Sequence, residues 1–132
     1  MTPQDQEFVN IPGVQNGDCM RATIASVLDL PIADVPHFLA KLDTKNEEFW
    51  DAVFNFLDAR SLGMIFRTDG HDPTYAVDME GYHLIGGPSP RGAGLFHSVV
   101  GKDGEIVFDP HPSRAGLLGN PSEWTFEYLV KL

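Results

Sequence analysis

The chain contains one cysteine, Cys19, directly after Gly17-Asp18 and at the head of an apolar, helix-competent run, Met20-Arg21-Ala22-Thr23-Ile24-Ala25-Ser26-Val27-Leu28. The first N–H groups of a helix have no partner within it and form its positive end, so a thiol placed there is favoured as thiolate. Free cysteines otherwise bury as small hydrophobes, and Cys19 gains chemical meaning only with a base beside it. The second half of the chain supplies one. Phe96-His97-Ser98-Val99-Val100 and Glu105-Ile106-Val107-Phe108 flank the turn Gly101-Lys102-Asp103-Gly104, which is the pattern of a β-hairpin. His97 opens the first strand and Asp109 follows the second, so antiparallel pairing brings them to one end of the hairpin. A carboxylate holds an imidazole in one orientation, and the imidazole can take a thiol proton. Cys19, His97 and Asp109 therefore make a complete nucleophilic set.

These motifs, Asp18-Cys19 opening a small-residue helix, a His97-Ser98-Val99-Val100 strand and a strand running into Phe108-Asp109-Pro110, resemble the papain-like cysteine peptidases. Within them the chain is most similar to the bacteriocin-processing (double-glycine leader) peptidases and their stand-alone relatives. The resemblance implies Cys19 as nucleophile, His97 as general base and acid, and Asp109 as the group that orients His97. It also implies a glutamine for the oxyanion hole about six residues before the cysteine. Here Gln15 takes that assignment from four residues before Cys19, with Asn16 as a second donor, and Met20 stands where family members generally carry glycine.

The elements that must position these groups follow from hydrophobic spacing and turn chemistry. A first helix is expected over Asp18–Leu28, capped by Asp18 and stopped by Leu30-Pro31, with one helical turn over Pro31–Val35. In that helix Ala22, Ala25 and Leu28, or Ile24, Val27 and Leu28, could face a core. A second helix is expected over Asn46–Ala59, where Phe49, Val53, Phe56 and Leu57 recur at helical spacing and Trp50 and Phe54 widen the stripe. Gly63 is expected to close it, before a strand over Met64–Arg67. Tyr82–Ile85 reads as a strand and Gly86–Gly94 as a loop bordering the cleft. Asp69-Gly70 and Asp72-Pro73 mark turns, and Trp124–Val130 reads as a final strand. Phe8, Val9 and Ile11 suggest a short edge strand. The fold class expected is α+β, papain-like, with the nucleophile helix packed on a small antiparallel sheet, in one domain over 132 residues.

Composition narrows the function. Nine basic against 19 acidic residues give a formal net charge of −10, which opposes phosphate-tracking binding of nucleic acid and favours encounter with a basic peptide or protein. A single cysteine forms no internal disulfide. The polar, acidic N-terminus lacks the basic-then-apolar pattern of a signal peptide, and no stretch has the length of a membrane span. A reducing, cytoplasmic setting is expected, with no membrane partner. Five histidines raise the question of zinc, which Cys19, His97, Asp109 and His111, with His71-Asp72 and His83, could collect around. The absence of His-Glu-x-x-His and of paired cysteines argues instead for no metal and no cofactor. The expected function is a thiol-dependent hydrolase, peptidase or amidase, acting through an acyl-enzyme. Acyl transfer with the same triad and a catalytically inactive papain-like binding protein, an inhibitor or adaptor, are the alternatives.

Overall fold

A computed structural model describes residues 1–68 and 81–132. The turns expected at Asp69-Gly70 and Asp72-Pro73, and the His71-Asp72 pair, lie outside the described residues. Two α-helices, α1 (Cys19–Val27) and α2 (Asn46–Asp58), pack against an open sheet of five antiparallel strands in the order β1-β5-β2-β3-β4. The strands are β1 (Leu62–Arg67), β2 (Tyr82–Pro88), β3 (Phe96–Lys102), β4 (Glu105–Phe108) and β5 (Thr125–Lys131). Helix α1 lies on β3 and β2, and α2 lies on β1. The α+β class and the antiparallel sheet beneath the cysteine helix are thus as the pattern predicts.

Alternation along the strands divides the core between the sheet's faces. Leu84 of β2 joins Ile24 and Ala25 of α1 and Val53 and Leu57 of α2, while its neighbour Ile85 joins Val99, Phe126 and Tyr128. Each of these larger apolar side chains, removed from water, contributes about 1.5–3 kcal/mol. Helix α1 is buried on polar positions as well. Ser26 Oγ donates to the Ala22 carbonyl (2.7 Å) and accepts from the Gln4 N–H (3.0 Å), which ties the leading segment along the helix.

Four local expectations change. Gly63 is a strand residue paired with Val130, and the exit from α2 is made by Ser61 at φ 56°. Phe8–Ile11 form no strand; the chain makes an excursion closed by an isolated Ile11–Gln15 bridge. Strand β2 runs on through Gly86, Gly87 and Pro88, which pair with Ser98, His97 and Phe96. The glycines there serve close packing rather than a loop, since a Cβ on Gly87 would stand 2.7 Å from Trp124 Cδ1. Asp18, finally, occupies the N-cap position without capping the helix through its side chain.

The hairpin that carries His97 depends on a similar close approach. A bulge falls between Val100 and Gly101, and a Cβ on Gly101 would overlap the His83 ring and lie 2.6 Å from Ile85 Cδ1. Both neighbours are fully buried, and His83 Nε2 accepts the Gly104 N–H (3.0 Å), so neither can yield. Gly101→Ala is expected to cost about 1–3 kcal/mol. The urea midpoint measures it, and an unchanged midpoint would contradict this packing.

Candidate active site

Cys19 is the first residue of α1, and its partner group is set by how α1 sits on β3. Thr23, one turn after Cys19, places its Oγ1 3.0 Å from Ser98 Oγ, the side chain next to His97. Both hydroxyls are buried, so this contact registers helix against strand close to the thiol. His97 is 5% exposed, and its Nε2 stands 2.7 Å from Asp109 Oδ1. The Cys19 thiol and the His97 ring line one cleft, and the thiol bears on the protonation of the imidazole. The structure thus brings Cys19, His97 and Asp109 together.

Asp109 is itself held on all sides. Its Oδ1 accepts the His111 N–H (2.9 Å), its Oδ2 accepts the Gly116 N–H (2.7 Å), and Arg114 donates to its carbonyl (2.7 Å). Burial pushes the carboxyl up, but the hydrogen bond from His97, the two backbone N–H groups and the His97 charge bring it down to about 2. Burial likewise works against the imidazolium. The hydrogen bond to Asp109, the hydrogen bond and charge of Cys19, and the Asp109 charge outweigh it and raise His97 to about 9. An imidazole that keeps its proton through neutral pH is a ready acid and a partner for a thiolate.

The Asp18 carboxylate, a like charge beside a thiolate, is turned away. Oδ1 accepts the Phe8 N–H (2.9 Å) and Oδ2 the Glu7 N–H (3.2 Å), while Arg21 lies 3.3 Å from Oδ2 and 2.9 Å from Glu7 Oε1. Asp18 therefore organises the leading segment, and among the described residues no side chain caps the first N–H groups of α1. Those donors stay free beside the thiol.

The amide of Gln15 donates to the Val9 carbonyl (2.8 Å), and Gln15 does not line the cleft that contains Cys19. The glutamine that does is Gln6. Its N–H binds the carbonyl of Pro110, next to Asp109 (3.0 Å); its Nε2 donates to the Phe8 carbonyl (2.6 Å); and its Oε1 is buried without a partner among the described residues. Spacing along the chain conceals this residue because the 7–17 excursion intervenes between it and Cys19. Asn16 spends its amide on the carbonyls of Leu39 and Lys41 (3.1 Å each). Met20 packs into the helix-side core as well as lining the cleft.

The cleft encloses about 940 Å³ and passes from the Cys19–His97 pair to an aromatic wall of Phe49, Trp50, Phe54 and Phe66. His111 edges it, with its ring centroid 6.1 Å from that of His97, and burial together with the Arg91 and His97 charges lowers its pKa. His83 belongs instead to the fully buried core beside Tyr128. Among the described residues no three His, Cys, Asp or Glu side chains gather as a metal-ligand set. No helix among them is long and apolar enough to cross a membrane. No protein-family model, curated protein or solved structure matches this chain.

Proposed function

We propose that this protein is a papain-like, thiol-dependent hydrolase that cleaves an amide bond in a peptide through an acyl-enzyme. The observation that carries the reading is the buried His97–Asp109 pair, 2.7 Å long, with the Cys19 thiol beside the imidazole at the head of α1. The Cys19 sulfur attacks the carbonyl carbon after giving its proton to His97. As the C–N bond breaks, the imidazolium returns that proton to the leaving amine. Water, deprotonated by His97, then attacks the thioester, and the C–S bond breaks to free the acid and the thiol. The Cys19 N–H and the second N–H of the Gln6 amide, whose first is held by the Phe8 carbonyl, are the donors assigned to the oxyanion, in place of Gln15, which does not line the cleft. An amine in place of water would give acyl transfer with the same groups.

A peptidyl acyloxymethyl ketone tests the reading. The folded chain should take up one equivalent on Cys19 at neutral pH at least about tenfold faster than the urea-unfolded chain, and Cys19→Ala should take up none. Equal rates for folded and unfolded chains, read by intact mass, would leave the cleft as a binding surface only. That second reading draws on Met20, whose side chain fills the position next to the nucleophile.

A further inference from the structure

Of the two carboxyls that line the cleft, Asp18 is held by the leading segment and by Arg21, which leaves Glu127. It lies on β5, paired with Phe66 of β1 on one side and Leu84 of β2 on the other, and it is 3% exposed. No hydrogen bond or ion pair reaches its carboxyl among the described residues, and burial alone raises it to about 7. The backbone makes room for it, since a Cβ on Gly86 would stand 3.2 Å from Oε1. An isolated carboxyl in an apolar setting costs stability unless something pairs with it. None of the described residues does so, although the group opens onto the cleft shared with Cys19 and His97.

Its surroundings select the partner. Phe66, opposite Glu127 on β1, meets Trp50 at 5.4 Å and Phe54 at 6.2 Å between ring centroids, so an aromatic cluster stands at the strand position across from Glu127. Rings and a carboxylate together attract a cation with an apolar stem, through the ring quadrupole and through charge. The chain's net charge of −10 draws such a group inward. Gly86, beneath the Glu127 carboxyl, pairs with Ser98, the residue after His97. One strand spacing of about 4.8 Å thus separates this carboxyl from β3, within one or two residues of an extended peptide lying at the thiol.

We propose that Glu127, with Phe66, Trp50 and Phe54, forms a specificity subsite that takes the cationic side chain, lysine or arginine, of a peptide bound across Cys19. The proposal rests on the peptide-hydrolase reading, but its test does not use the thiol. In the Cys19→Ala chain at about pH 8, where the carboxyl is ionised, capped alanine hexapeptides with one lysine moved through the sequence are compared with norleucine counterparts by calorimetry. At one position lysine should bind at least about tenfold more tightly than norleucine, and Glu127→Gln should abolish that difference. In the Cys19→Ala chain with Glu127 retained, the carboxyl ¹³C titration of Glu127 should move to lower pH with the lysine peptide and stay in place with norleucine. A lysine preference at no position, or one that survives Glu127→Gln, overturns the subsite. Failure of Cys19 to alkylate faster than the unfolded chain would instead overturn the hydrolase.

Discussion

Replacing His97 by alanine is expected to slow alkylation of Cys19 at neutral pH by about a hundredfold or more, the scale of a positioned general base. The imidazole is the group beside the sulfur, and it is held there by a buried 2.7 Å bond to Asp109 and by the Thr23–Ser98 contact between α1 and β3. Removing the ring leaves the thiol at its helix N-terminus with the uncapped N–H groups but no proton acceptor. The helix end, which the variant keeps, accounts for far less, about 0.3–1 kcal/mol for an exposed charge, and a helix-only explanation predicts no loss of rate. Iodoacetamide is small enough to need no subsite, which keeps this measurement independent of Glu127 and of the aromatic wall. The urea midpoint of the variant, taken alongside, separates a lost base from a lost fold. A rate within twofold of the parent chain would remove the ground for the hydrolase proposal.

The residues that make this reading possible were visible to different degrees in the sequence, for physical reasons. Helices α1 and α2 follow from local spacing and local stop signals, and both lie within a residue of the expected limits. The His97–Asp109 contact is legible because a hairpin converts sequence distance into spatial distance through one turn. Gln6 and Glu127 were not legible. Gln6 reaches the cleft only because the chain leaves and returns over residues 7–17 and because its N–H is anchored on Pro110, a tertiary contact without a sequence pattern. Glu127 sits in an otherwise strand-forming run, Thr125-Phe126-Glu127-Tyr128-Leu129-Val130, where alternation alone would send it to solvent. The order β1-β5-β2 places it on an interior strand beside the aromatic wall, and sheet order is a long-range property. Gly86 and Gly87 misled in the same way, since glycines in a row read as a turn until the side chains that need their space, Glu127 and Trp124, are in place.

Stability against pH should separate the triad from the lone carboxyl, because the shifts of His97 and Glu127 act in different windows. His97 is raised from 6.5 to about 9, so its contribution is complete below 6.5 and is lost as pH rises through about 9. Glu127 is raised from 4.5 to about 7, so its protonated form contributes below 4.5 and that contribution is lost as pH rises through about 7. Asp109 is lowered from 3.8 to about 2, and its contribution is present above 3.8 and lost as pH falls towards about 2. The limbs of His97 and Asp109 report one shared bond and do not add. Asp109→Asn removes the carboxylate that most strongly favours the imidazolium, and it should flatten the decline above pH 6.5, which amounts to about 3 kcal/mol at most. The decline between pH 4.5 and about 7 should survive that change and vanish instead in Glu127→Gln. Urea midpoints of the three chains at closely spaced pH values measure both effects. If Asp109→Asn left the alkaline limb intact, the charge on His97 would not depend on the carboxylate behind it, and the orienting role assigned to Asp109 would have to be abandoned.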